Sequence, residues 1–156
     1  MKVIIATKNK YIEYGLKFLL KDYKVSIASE LFSLQRRKHR INNGSSWLII
    51  CDERLGGMMR YIFQGRHFLQ LRVEELKTLS QIEESIYSYM WRYNTTVRPL
   101  SMSVMVMVFC SVYHEYSPAY LAQMANLNVK TVYTLLSKGE RRCLKGKRIK
   151  YLSGVM

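Results

Sequence analysis

Between residues 130 and 142 the chain carries Lys130, Thr131, Tyr133, Thr134, Ser137, Lys138, Arg141 and Arg142. Ammonium and guanidinium groups neutralise phosphates, and hydroxyls hydrogen-bond to phosphate oxygens or base edges, so this mixture suits recognition of a polyanion better than the making of bonds. Four more cations, Lys145, Lys147, Arg148 and Lys150, follow directly. The whole chain of 156 residues holds 25 Lys and Arg against 11 Asp and Glu, a formal charge of +14. Such an excess favours nucleic acid or an acidic membrane surface as partner. Both parts of the chain are basic, but from Leu100 onward eight Lys and Arg face only two Glu.

Other chemistry has less to stand on. The acidic residues form no pair placed for general acid and base work, so hydrolysis is not expected. Cys51, Cys110 and Cys143 are odd in number and lack metal-ligand spacing. They read as free thiols in a reducing compartment. His39, His67 and His114 are scattered, which argues against a zinc site. No metal or cofactor is expected. The basic run at 36–40 reads as a solvated helix end, and the twelve tyrosines as half-buried packing. The apolar run after Lys2 is too short for a signal peptide. The run at 104–109 is too short to span a bilayer. A cytoplasmic protein without a membrane partner is the expectation.

The basic cluster needs a scaffold, and the preceding residues supply one. A helix over 117–125 opens with Ser117 as N-cap and Pro118 at its first position. Leu121, Ala122, Met124 and Ala125 form its apolar face. Asn126-Leu127-Asn128 interrupts the pattern, because Asn favours caps and left-handed turns. A second helix starts near Val129 with Val132, Leu135 and Leu136 inward. Helix, tight turn, helix is the plan of a helix-turn-helix, whose second helix enters the major groove. The same pattern describes an ordinary helical hairpin with a solvated face. Upstream, apolar runs at 2–6, 24–28 and 47–51 read as strands, with a fourth candidate at 66–71. Helical periodicity is read at 11–20, 29–40 and 74–93. This alternation predicts a small parallel sheet covered by helices. Residues 42–46 read as a loop and 94–99 as a linker, dividing the chain into domains 1–93 and 100–156.

Val129-Lys130-Thr131-Val132-Tyr133-Thr134 resembles the [VSE]-K-T-V-x-T signature of the recognition helix in the LuxR-type DNA-binding domain of response regulators. Leu121-Ala122-Gln123-Met124-Ala125-Asn126-Leu127 stands, without a gap, where that family has I-A-x-x-L-x-[IL]. The likeness runs from about residue 100 to the end. It implies an all-α, four-helix C-terminal domain, with 102–108 inside its first, core helix. It further implies double-stranded DNA as partner, with Tyr133, Thr134 and Ser137 at base edges. Lys130, Thr131, Lys138 and Arg141 would hold phosphates, with Arg142 and the tail beside them. Three positions depart from the family: Val104 replaces a usual glutamate, Leu135 a frequent histidine, and Gly139 interrupts the distal helix.

Residues 3–16 resemble the opening of a receiver domain, V-L-I-V-D-D-x-x-x-V-x-x-G-L, and 48–58 its L-V-L-L-D-x-R-[LM]-P-G-M stretch. The alignment puts Asp52 at the phosphoacceptor position. The family's two Mg²⁺-holding acids are Thr7 and Lys8 here, and its lysine falls near Gln70 or Leu71. Mg²⁺ needs carboxylate oxygens, so the resemblance implies a degenerate, shortened receiver. Asp52 would be a vestigial or structural carboxylate paired with Lys8. The implied function is a sequence-specific, phosphorylation-independent transcriptional regulator that binds as a dimer. The alternative is an auxiliary regulator acting by heterodimerisation with another LuxR-type factor, with helix 74–93 carrying the contact. The opening KVIIATKNK is also similar to Ham1-type nucleoside triphosphate pyrophosphatases, A-T-x-N-x-x-K, which would imply a nucleotide-hydrolysing enzyme. That family's acidic metal-binding and S-G stretches are absent, and this reading is the less favoured.

Overall fold

A computed structural model describes the backbone of residues 1–34, 41, 44–88, 91 and 96–142, with side chains to 137 in the last helix. The expected basic run at 36–40, Cys143 and the cationic tail lie outside the described residues, as do the side chains of Lys138, Arg141 and Arg142. The chain divides into two compact units, residues 1–30 with 42–99, and residues 31–41 with 100–156.

In the first unit, near-continuous apolar runs make strands that are covered on both faces, as parallel sheets require. β1 (Lys2–Ala6), β2 (Lys24–Ile27), β3 (Ser46–Cys51) and β4 (His67–Arg72) form one parallel sheet in the order β2-β1-β3-β4. These are the first four positions of the flavodoxin-like order 2-1-3-4-5, in which the chain reverses its winding between β1 and β3. Strand alternation puts Val3, Ile5, Leu48, Ile50, Leu69 and Leu71 on one face. They pack with Leu16 and Leu20 at the end of α1 (Lys10–Leu19) and with Ile82 of α4 (Leu79–Ser88). Ile4 and Ile49, also fully buried, point to the other face. On that face the Gln70 amide donates to the Gly56 carbonyl of α3 (Glu53–Ile62) at 3.0 Å. A Cβ on Gly56 would stand 2.9 Å from the Gln70 amide nitrogen, so the missing side chain is what permits this approach.

Of the helix expected over 29–40, the described residues form a single turn, α2 (Ala28–Leu31), and 32–34 are not helical, while 35–40 lie outside the described residues. Tertiary packing overrides helix propensity here. Phe32 is fully buried in the second unit, 5.1 Å from the Phe109 ring, and its carbonyl accepts the Cys110 thiol at 3.3 Å. The helix expected over 74–93 is broken as well. A 3-10 turn, Val73–Glu75, precedes α4, which a capping box opens. The Gln81 N–H donates to the Thr78 hydroxyl at 3.2 Å, and the Thr78 N–H returns a bond to the Gln81 side chain at 3.1 Å. α3 was not expected at all.

The second unit is helical. α5 (Met102–Tyr113) is apolar almost all round and buried, the mark of a core helix. It contacts α6 (Pro118–Ala125) and α7 (Val129–Arg142). A ladder of rings, Phe109, Tyr113, His114, Tyr116 and Tyr120, lines the corner between α5 and α6, with neighbouring centroids 4.5–4.9 Å apart. Among the described residues no helix is long and apolar enough to cross a membrane.

Candidate nucleic-acid interface

Local chemistry builds the α6–α7 hairpin. The Ser117 hydroxyl accepts the Tyr120 N–H at 3.2 Å, and Pro118 occupies the first turn, where its missing N–H costs nothing. Asn126 ends α6 in the left-handed region at φ 54° and ψ 48°. The Leu127 N–H then reaches back to the Ala122 carbonyl at 2.9 Å. The Asn128 side chain accepts the Lys130 N–H at 2.9 Å and so caps the start of α7. A three-residue turn between two capped helices is therefore specified residue by residue.

Packing then selects which face of α7 is free. Val132 and Leu136 are buried and Leu135 half-buried, and the helix contacts both α5 and α6. Lys130, Thr131, Tyr133 and Thr134 are exposed on one stretch of helix, and Ser137 is half-buried at its edge. The Thr134 hydroxyl donates to the Lys130 carbonyl at 2.8 Å. Between Glu115 and Glu140 the chain has no Asp or Glu, so nothing acidic in that stretch offsets Lys130. The remaining expected contacts, Lys138, Arg141 and Arg142, follow on the same helix backbone.

Apolar side chains beside this surface differ from expectation. Met124, expected inward, is 41% exposed. The core side of α6 is set by Pro118, Leu121, Ala122 and Ala125, and at about 100° per residue Met124 falls well to one side of it. Tyr120, Leu127 and Val129 are also exposed.

Asp52 occupies a different place, at the C-terminal end of β3 beside the end of β1, where the winding of the sheet reverses. Clefts at that point are the usual ligand sites of open parallel sheets. Here the Thr7 hydroxyl donates to one Asp52 oxygen at 2.8 Å, and the Lys8 backbone N–H to the other at 3.1 Å. The Asn9 N–H in turn donates to the Thr7 hydroxyl at 3.1 Å. The carboxylate thus joins two strand ends, and Lys8 contributes its main chain to that joint. Neighbouring Cys51 is buried, and desolvation pushes its thiol up to about 12, far from a nucleophile's range. Gln70 and Leu71, where the resemblance would put a receiver's lysine, are committed elsewhere, Gln70 to Gly56 and Leu71 to the core. Among the described residues no three His, Cys, Asp or Glu side chains are grouped to hold a metal ion.

Comparison with protein families, curated proteins and solved structures finds no match for this chain.

Proposed function

We propose that this chain is a DNA-binding transcriptional regulator of LuxR type, with α6 and α7 as its helix-turn-helix and α7 in the major groove. One observation carries the reading. The buried face of α7 is apolar, and its free face gathers Lys130, Thr131, Tyr133 and Thr134 in a stretch without acids. The likeness of residues 129–134 to the LuxR-type recognition helix supports the same assignment. Lys130 and Thr131, with Lys138, Arg141 and Arg142 beyond them, hold phosphates. Tyr133, Thr134 and Ser137 face base edges. The first unit serves as a receiver-like domain working without phosphotransfer, because Asp52 is bonded to Thr7 and Lys8 where a working receiver presents acids to Mg²⁺.

A second reading, an auxiliary protein that pairs with another LuxR-type factor, is favoured by the outer face of α1. Tyr11, Tyr14 and Phe18 are 90%, 70% and 72% exposed there, more apolar surface on one short helix than solvent contact alone explains. Exposed Tyr87 on α4 offers a smaller version of the same feature.

A salt titration of purified protein on promoter fragments and on random duplex tests the assignment. Binding that prefers particular fragments, with a log–log salt slope of about −0.9 per phosphate neutralised, is expected. Lys130→Ala weakens binding to every duplex and flattens that slope by about one phosphate, whereas Thr134→Ala shifts preference between fragments. Equal losses on specific and random DNA for both variants would contradict the assignment. Weak, sequence-blind binding by the protein alone favours the auxiliary reading.

A further inference from the structure

We infer that α7 recognises thymine through its 5-methyl group, and that Thr134 makes the contact. This rests on the DNA-binding reading above and specifies what that surface distinguishes. In the major groove guanine is read by Arg or Lys, adenine by Asn or Gln, cytosine by Asp or Glu, and thymine by apolar contact with its methyl. The described side chains of α7, residues 129–137, include no Asn, Gln, Asp, Glu or Arg. Of these hydrogen-bonding readers only Lys130 is present among them, beside the less selective hydroxyls of Thr131, Thr134 and Ser137. The rest of the exposed surface carries the methyls of Val129, Thr131 and Thr134 and the ring of Tyr133, with the hydroxyls of Thr131 and Tyr133.

Thr134 is the most committed of these. It stands two residues from each of the buried Val132 and Leu136, which at about 100° per residue puts it on the far side of the helix from the core. Its hydroxyl proton is given to the Lys130 carbonyl at 2.8 Å and is not available to a base. The same bond selects its side-chain rotamer, so the methyl is held in one orientation rather than averaged over several. A fixed methyl on an outward, cationic, acid-free helix face complements an apolar spot inside an anionic groove, and in duplex DNA that spot is the thymine methyl.

The test uses the full chain and a pool of randomised duplexes. The duplex enriched by binding is resynthesised with deoxyuridine for each thymine in turn, which removes the methyl and keeps every hydrogen-bonding group. We expect about fourfold weaker binding for each contacted methyl lost. Thr134→Ser deletes the protein methyl and keeps the bond to the Lys130 carbonyl. It is expected to weaken binding to the thymine duplex by a similar factor and to be indifferent to deoxyuridine at the affected position. Enrichment without a deoxyuridine effect, or full deoxyuridine sensitivity retained in Thr134→Ser, overturns the thymine inference and leaves the DNA reading standing. Equal binding to all duplexes with no enrichment overturns the DNA reading itself.

Discussion

Asn126 is the residue on which the geometry of the interface turns. At φ 54° it holds a conformation that costs an ordinary L-residue about 1–2 kcal/mol, a cost Asn partly relieves and Gly removes. The conformation brings the Asn126 N–H to the Gln123 carbonyl at 3.3 Å and the Leu127 N–H to the Ala122 carbonyl at 2.9 Å, closing α6 and redirecting the chain into α7. Asn126→Ala is therefore expected to destabilise by about 1 kcal/mol. Asn126→Val adds a β-branched clash in the same region and is expected to cost about 2 kcal/mol. Asn126→Gly should stay within about 0.5 kcal/mol of the parent, the relief of strain offset by the greater freedom of Gly in the unfolded chain. For a chain of this size 1 kcal/mol moves the midpoint by about 2–4 °C, well within reach of a helical circular-dichroism melt. DNA binding measured well below the midpoint adds a functional readout: the valine variant loses affinity while folded, and the glycine variant keeps it. Melting of the alanine and valine variants with the parent, or a glycine variant that falls furthest, would refute the argument that a left-handed residue sets this turn.

Gly65, at φ +81°, leaves no room for a side chain: a Cβ would lie 2.5 Å from the Val97 carbonyl oxygen and 2.8 Å from the Pro99 nitrogen. Gly65→Ala is expected to lose about 3 kcal/mol or more, seen as a lower urea midpoint, and an unchanged midpoint would show that this crossing of chains is not rigid. Burial pushes the Cys51 and Cys110 thiols from 9.0 up to about 12, so the folded protein keeps two protons that the unfolded chain gives up. Their contribution to stability is complete below pH 9 and declines as pH rises from there toward 12. Urea melts across that range should show a shallower decline in Cys110→Ala than in the parent, and identical slopes would refute it. Asp52→Asn turns an amide N–H₂ toward either the Thr7 hydroxyl or the Lys8 N–H, and a loss of about 1 kcal/mol is expected for this half-buried site. The parent protein, incubated with acetyl phosphate and Mg²⁺, should show no phosphoryl mass gain; a stoichiometric gain that Asp52→Asn abolishes would overturn phosphorylation-independence.

Much of this molecule is written in short-range chemistry. The strands at 2–6, 24–28, 47–51 and 66–71 follow from apolar and β-branched runs, and each matches a strand to within one residue at either end. The α6–turn–α7 hairpin follows from Ser117, Pro118, Asn126 and Asn128, whose caps reach no more than five residues along the chain. Two further elements also have a local signature. Leu55, Met58, Met59 and Ile62 keep the helical period of α3 behind the Gly56-Gly57 pair, and Thr78 with Gln81 spells the capping box that interrupts 74–93.

What only the tertiary structure decided depends on groups far apart in sequence. The carboxylate of Asp52 meets Thr7 across 45 positions, and Phe32 meets Cys110 across 78. Neither pairing has a local signature, because loop closure between such partners is settled by the packing of the whole unit. For the same reason periodicity could name the apolar residues of α6 and α7 but not which of them the core would take. The positions of Leu121, Val132 and Leu136 against α5 left Met124 outside and turned Thr134 toward solvent. The sequence alone determined the residues of the candidate interface; the fold decided which of their atoms face outward.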